Sequence, residues 1–123
     1  MRLDRREGER RNDAVKRLRR VLKKGMLLLV DTEVGHGVNY GKVLVQASHD
    51  WKLWCCILAT DSAHYKPWIR RDIFYFSLAS FVDGPRLHWK LTEIPWEDLP
   101  LYVGMPHQSK LFKEILANGV SHG

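Results

Sequence analysis

The sequence predicts an α+β fold, in which a small bent antiparallel sheet or small barrel of four to five strands is flanked by an N-terminal basic helix and a C-terminal helix. Three observations lead to this prediction. Apolar residues recur at helical spacing near both ends of the chain, branched and aromatic runs of strand length fill its middle, and turn residues separate those runs. At 123 residues the chain has the length of one domain, which we divide into a basic arm and helix, residues 1–24, and a single α+β domain, residues 25–123.

The N-terminal helix is indicated by a narrow apolar stripe. Val15, Leu18 and Leu22 recur at i, i+3 and i+7, which places them on one face of a helix of about three turns. Asn12 or Asp13 is available as the N-cap, and the first glycine after the stripe is placed to end the helix. Cationic side chains surround the stripe, so the sequence predicts a basic amphipathic helix.

The positive charge of the protein is concentrated in residues 1–24. This segment has eleven cations and four acids, a net charge of +7, whereas the remaining 99 residues have nine cations and ten acids. Arginines outnumber lysines there, and the guanidinium group binds phosphate oxygens bidentately. We therefore expect the helix to contact nucleic acid phosphates or an acidic protein surface that imitates them; the alternative is a solvated surface helix. The candidate contact residues are Arg10, Arg11, Lys16, Arg17, Arg19, Arg20, Lys23 and Lys24.

A glycine-rich stretch, GHGVNYGKVLV at residues 35–45, invites comparison with phosphate-binding loops. In a Walker A loop the first glycine would fall on His36, and the hydroxyl residue that binds magnesium would fall on Val43. The dinucleotide-binding pattern fails as well, because Tyr40 stands where its third glycine belongs. The stretch therefore predicts a hairpin turn between two strands, MLLLVDTEV and YGKVLVQAS.

The longer stretch KKGMLLLVDTEVGHGVNYGKVLV, residues 23–45, resembles the first hairpin of SH3-like small barrels, PemK-type toxin barrels among them. The resemblance lies in the turn chemistry. It implies an SH3-like barrel as the form that the sheet takes if it closes, and it transfers no functional residue to this chain.

Three more strand-like runs follow the hairpin. WKLWCCILAT is apolar almost throughout, which predicts a strand that is buried on both faces or closed into a barrel. Its cysteines, Cys55 and Cys56, are expected to be reduced, with at least one of them in the core. WIRRDIFYFSLASFV and RLHWKLTEI are predicted to be strands that pair with each other across the DGP turn.

The C-terminal part is predicted to be a connection followed by a helix. PWEDLPLYVGMP is rich in proline and is expected to be irregular. HQSKLFKEILANG has helical periodicity, and Gln108 or Ser109 can open the helix. The residues expected on its apolar face are Leu111, Phe112, Ile115 and Leu116.

The stretch HYKPWIRRD, residues 64–72, is the most site-like part of the body. It places aromatic rings beside cations, the combination that stacks nucleic acid bases and contacts phosphates. The alternative is a loop whose aromatics cap the core and whose Arg71 pairs with Asp72 or Asp61. The candidate binding residues are Tyr65, Lys66, Trp68, Arg70 and Arg71.

Complete catalytic and metal-binding patterns are missing from the sequence. None of the six histidines lies in an H-x-x-H or H-E-x-x-H pattern, and cysteines in an apolar strand are expected to be inert. We therefore predict no catalytic residue, no metal and no cofactor. The strongest enzyme alternative is metal-independent cleavage of RNA, with His49 or His64 as the base and Arg70 or Arg71 beside the phosphate.

These observations predict a non-catalytic protein that binds RNA, DNA or an acidic protein surface. No run approaches the ~18 apolar residues of a membrane span, and the N-terminus lacks the apolar stretch of a secretory signal, so we expect a cytoplasmic protein without membrane attachment. Two alternatives stay open. One is a small metal-independent ribonuclease or toxin-like barrel enzyme. The other is a structural subunit of a virion or ribonucleoprotein, in which the basic arm anchors the chain and the five tryptophans supply contact surface.

Overall fold

The computed structural model describes residues 2–31, 41–47, 54–70, 74–75 and 90–118, without the side chains of residues 54–56, 68, 70, 74 and 75. In these residues the α-helices are α1, Arg11–Val21, and α2, Lys110–Asn118, and 3₁₀ helices span Lys66–Arg70 and Trp96–Tyr102. The strands are β1 Leu27–Asp31, β2 Lys42–Ala47, β3 Trp54–Thr60, β4 Phe74–Tyr75, β5 Lys90–Ile94 and β6 His107–Gln108.

The strands form one antiparallel sheet. Their order is β4-β3-β2-β1-β5, and the short β6 pairs with the C-terminal end of β3. Within the described residues β4 and β5, the two ends of this order, do not pair with each other, so the sheet is open. The predicted α+β fold with a small bent sheet and a helix towards each end of the chain is therefore confirmed, whereas the sheet does not take the form of an SH3-like barrel.

The glycine-rich stretch separates two antiparallel strands, as predicted. β1 and β2 pair along their common length. Gly41 precedes β2 with a φ of +85°, a conformation that side chains rarely adopt. The neighbouring Lys42 N–H donates a hydrogen bond to Asp61 Oδ1 at 2.7 Å, which ties this turn to the end of β3. The rest of the loop, residues 32–40, lies outside the described residues.

β3 is buried on both faces over residues 57–60, the part whose side chains are described, which is one of the two outcomes predicted for it. Its described side chains are at most 3% exposed. A bulge interrupts its pairing with β2: Ile57 and Ala59 lie opposite successive β2 residues, which leaves Leu58 as an extra residue. Leu58 and Ala59 consequently share one core although they are neighbours in the chain. The side chains of Cys55 and Cys56 lie outside the described part.

α1 covers one face of the sheet. Its stripe is buried as predicted, with Ala14, Leu18 and Leu22 fully inaccessible and its two valines half-buried at the margins. Leu3 of the N-terminal arm is 1% exposed in the same cluster, so the arm, α1 and the sheet share one core. The sheet residues of this α1-side core are Leu28, Val30, Val43, Val45, Ala47, Ile57 and Leu91.

Both ends of α1 differ from the prediction: the helix ends at Val21, with Leu22 at the C-cap position, before it reaches Gly25. The helix begins at Arg11, with Arg10 at the N-cap position and without a side-chain hydrogen bond from it. Asn12 and Asp13 are therefore not the N-cap; both lie inside the first turn. The 11 residues of α1 make the predicted three turns. None of the described helices combines the length and the apolar character that crossing a membrane requires.

The opposite face of the sheet is covered by α2 and by the 3₁₀ helix Trp96–Tyr102. This 3₁₀ helix occupies the connection predicted to be irregular. Ser109 opens α2 as predicted, since its Oγ accepts a hydrogen bond from the Phe112 N–H at 3.0 Å. The prediction that Leu111 belongs to the buried face is wrong: Leu111 is 38% exposed, because successive helix residues point 100° apart and the sheet lies on the Phe112 side. The α2-side core contains Leu27, Leu44, Leu58, Ala59, Ile94, Leu99 and Phe112, with Ile115 and Leu116 packed against it.

The predicted pairing of WIRRDIFYFSLASFV with RLHWKLTEI falls largely on residues 71–73 and 76–89, which lie outside the described residues. The described part of β5 pairs with β1 along its whole length. The N-terminal arm occupies its other edge, where the Leu3 N–H donates to Leu91 O at 2.7 Å and the Leu91 N–H donates to Asp4 Oδ1 at 3.0 Å. The arm thus covers the outer edge of β5 at Leu91 and Thr92, where an edge strand would otherwise present unpaired backbone groups.

Candidate nucleic-acid interface

One cation of the predicted interface points into the protein. The Arg17 side chain is 8% exposed and lies between α1 and the arm. Its Nε and Nη2 donate to the two carboxylate oxygens of Glu9, both at 2.9 Å. Its Nη1 and Nη2 donate to the backbone carbonyls of Leu3 and Asp4, at 2.9 and 3.0 Å. Arg17 is therefore not part of the candidate binding surface, because its guanidinium donors are used in hydrogen bonds within the protein.

Acidic residues of the arm are neutralised by arginines of the same segment. Both carboxylate oxygens of Asp4 accept hydrogen bonds from the Arg2 guanidinium at 2.6 Å. Burial acts to raise the pKa of Asp4, but the Arg2 guanidinium and the Leu91 N–H outweigh it and hold this pKa below its ordinary value. Hydrogen bonds from Arg17 lower the pKa of Glu9 to about 2. Two acids that would weaken an anion-binding surface are thus compensated within the fold.

Acid is expected to loosen the attachment of the arm. The folded pKa of Glu9, about 2, lies below the ordinary value of 4.5, so its contribution to stability is complete above about pH 4.5 and is lost as the pH falls toward 2. Urea titrations across this interval should show the free energy of unfolding falling more steeply for the parent protein than for Glu9→Gln. Parallel pH profiles for the two proteins would contradict this assignment.

The outward face of α1 is strongly cationic. Lys16, Arg19 and Arg20 fall within about 100° of one another around the helix, on the side away from the apolar stripe, and all three are exposed. Asp13 is the only acid of α1. We define the α1 surface as the seven exposed cations from residue 10 to residue 24, which are Arg10, Arg11, Lys16, Arg19, Arg20, Lys23 and Lys24.

The loop after β3 offers less binding surface than predicted. Tyr65 is 4% exposed in the α1-side core, with His64 packed edge-on against its ring at a centroid distance of 4.9 Å. Tyr65 is therefore a core residue, as the alternative for the aromatics of this loop predicts. It is not a platform on which bases could stack. Lys66 is exposed. The candidates that lie outside the described side chains are Trp68, Arg70 and Arg71.

Of the four residues named in the enzyme alternative, only the side chain of His64 belongs to the described part of the chain. His64 is exposed at the rim of the core, whereas His49, Arg71 and the side chain of Arg70 lie outside the described residues. Cleavage of RNA consequently stays a prediction. In the part of the chain that is described, no three histidine, cysteine, aspartate or glutamate side chains come together in a way that could hold a metal ion.

Lys66 lines a groove that sequence reasoning missed. The groove, of about 430 Å³, lies between the 3₁₀ helix Lys66–Arg70, β6 and α2. No local pattern indicates it, because its walls are distant in sequence and meet only through the pairing of β6 with β3. The lining residues are Lys66, Ile69, Pro106, His107, Gln108 and Lys113.

Comparisons with protein families, with curated proteins and with solved structures identify no match for this chain. What the α1 surface and the groove can bind therefore has to follow from their own charge, exposure and geometry.

Proposed function

We propose that this protein is a non-catalytic nucleic-acid-binding protein and that the α1 surface contacts the phosphate backbone. The observation that carries the proposal is the separation of charges within residues 2–24. The buried Arg17 meets Glu9 and two backbone carbonyls on the inner side of the segment, while seven cations are exposed along α1 and the turn after it. A surface with this excess of exposed cations attracts a polyanion.

The charge density of the α1 surface suits a nucleic acid backbone. The 11 residues of α1 span about 16 Å. A DNA duplex presents roughly nine phosphates along the same length of its axis. Four of the seven exposed cations are arginines, whose planar guanidinium groups can each hold two phosphate oxygens. An array of this kind positions the protein on the backbone and does not by itself read the sequence of bases.

The apolar stripe of α1 favours a nucleic acid over a lipid surface as the partner. Ala14, Leu18 and Leu22 are fully buried against the sheet. An amphipathic helix that binds a membrane interface needs its apolar side chains for insertion into the lipid. Because the apolar stripe of α1 packs in the core, the helix presents mainly charged side chains to a partner. The predicted cytoplasmic location is part of this proposal.

Binding should therefore depend steeply on salt. If four of the seven cations reach phosphates, the dissociation constant for a short duplex DNA or single-stranded RNA should rise by about 10²-fold between 50 and 200 mM salt. Fluorescence anisotropy titrations measure this dependence. An affinity indifferent to salt would overturn the proposal.

Substitutions identify the surface responsible. The double change Lys16→Gln and Arg20→Gln is expected to reduce the slope of the logarithm of the affinity against the logarithm of salt concentration by about 2. Lys110→Gln, an exposed lysine at the start of α2, is the control and should leave the slope unchanged. Equal effects of both changes would place binding elsewhere. Binding of polyglutamate as tight as that of DNA would indicate an acidic protein surface as the partner instead.

A further inference from the structure

The groove beside Lys66 has a rigid floor. Its floor is β6, which pairs with the buried end of β3. The Gln108 side chain is held in place because its Nε2 donates to Val103 O at 2.7 Å and to Met105 O at 3.1 Å. One wall is the 3₁₀ helix Lys66–Arg70, through Lys66 and Ile69, and the other is α2, through Lys113. A ligand would therefore meet a surface that is already formed.

The charged residues in the described lining of the groove are all basic. Lys66 and Lys113 are exposed on opposite walls, and His107 lies half-buried on the floor. No acidic residue is among the described residues that line the groove. The side chains of these three residues make no hydrogen bond or ion pair with any other described residue. Among its described lining residues the groove therefore has two lysines and a histidine and no acidic residue, which favours an anionic ligand.

The apolar residues of the lining favour a ligand that has an apolar part as well as a negative charge. Ile69, itself packed against the α1-side core, and Pro106 form an apolar strip between the polar groups. The volume of about 430 Å³ falls within the range of small-molecule sites and is far larger than one phosphate group needs. The ligand that matches both features has an anionic end and a compact ring.

We propose that this groove binds an organic phosphate of nucleotide size. The phosphate lies between Lys66 and Lys113, with His107 as a third donor, and the ring of the ligand packs on Ile69 and Pro106. A free nucleoside monophosphate and the 5′-phosphorylated end of a nucleic acid strand offer this same chemistry. The site is distinct from the α1 surface and does not rest on the function proposed for it.

The probe that tests the site is AMP, followed by NMR chemical-shift changes and calorimetry on the full chain. AMP should shift the amide signals of His107, Gln108 and Lys113. Lys66→Gln and Lys113→Gln should each weaken AMP binding by about tenfold, because each removes one charge-assisted contact. Both lysines are exposed, so neither change is expected to impair folding, which circular dichroism verifies.

Two controls separate this site from general attraction of anions. The first control, Lys110→Gln, removes a lysine of α2 that does not line the groove. The second control, the double change Lys16→Gln and Arg20→Gln, weakens the α1 surface. Each control variant should bind AMP with the affinity of the parent protein. Absence of AMP binding, or equal losses in the groove and control variants, would overturn the proposal. Adenosine or inorganic phosphate binding as tightly as AMP would do the same, because each lacks one half of the expected ligand.

A 5′-phosphorylated tetranucleotide distinguishes the two sources of the ligand. If the tetranucleotide binds more tightly than AMP, and if removal of its terminal phosphate and the change Lys66→Gln both weaken this binding, the ligand is the phosphorylated end of a strand. Weaker binding than AMP supports a free nucleotide.

Discussion

Replacement of Arg17 by methionine is expected to lower the free energy of unfolding by about 3 kcal/mol. Methionine retains apolar volume at this position but supplies no donor. The change leaves the Glu9 carboxylate without its charged partner, although the Arg6 N–H still donates to it. It also leaves the carbonyls of Leu3 and Asp4 without the guanidinium, at a site where the Arg17 side chain is only 8% exposed. Urea denaturation of the purified protein measures the loss.

The arm should respond to Arg17→Met more strongly than the centre of the sheet. Arg17 connects α1 to the arm, and the arm pairs with the outer edge of β5 through the Leu3 and Leu91 amides. We expect the hydrogen-exchange protection of these two amides to fall, while amides of the central β2 keep most of theirs. Uniform loss of protection would contradict a local role of Arg17.

The matched control is Arg20→Met, which removes an exposed cation of the same helix and should change stability by no more than about 0.5 kcal/mol. Adding Glu9→Gln to Arg17→Met should recover part of the loss, because an unpaired carboxylate is then no longer held in the fold. If Arg17→Met and Arg20→Met were equally mild, the anchoring role of Arg17 would be refuted.

Truncation of Phe112 to alanine is expected to cost about 4 kcal/mol of unfolding free energy. Phe112 is fully inaccessible and is the largest such side chain among the described residues. It shares the α2-side core with leucines from three neighbouring strands, Leu27, Leu44 and Leu58. Removing the ring leaves a cavity bounded by sheet residues whose backbone is fixed by their strand pairing, so little collapse can compensate.

Leu111→Ala provides the comparison for Phe112→Ala, since it truncates the adjacent residue on the same helix. Leu111 is 38% exposed, and its truncation should cost less than about 1 kcal/mol. Chemical denaturation of both variants under the same conditions tests the difference. A loss for Leu111→Ala that matches the loss for Phe112→Ala would show that α2 docks on the sheet through a different face.

Several elements follow from patterns within a few residues of the chain. The stripe of Val15, Leu18 and Leu22 determines both the existence of α1 and the side that faces the core, because the helix repeat places these residues on one face. The apolar character of β3 indicates its burial on both faces. Ser109 marks the start of α2, because its hydroxyl can accept a backbone hydrogen bond of the first turn.

The composition of the candidate interface could be predicted only in part. The charge pattern identifies α1 as its basic element, yet no local feature separates Arg17 from Arg19 and Arg20. Arg17 is distinguished by the arm, which folds back and presents Glu9 and two backbone carbonyls to it. Likewise the groove exists only because β6 pairs with β3 and brings Lys113 near Lys66.

The sequence by itself determined the α+β class, the helix near each end, the hairpin and the concentration of positive charge, since periodicity, turn chemistry and net charge are local or additive properties. Tertiary structure alone decided that β5 pairs with β1 and the arm, that Tyr65 is buried and that Leu111 stays outside. These outcomes depend on which distant segment offers a free strand edge, a matching apolar surface or an unpaired carbonyl. Such partners are separated by many residues, and only the folded chain brings them together.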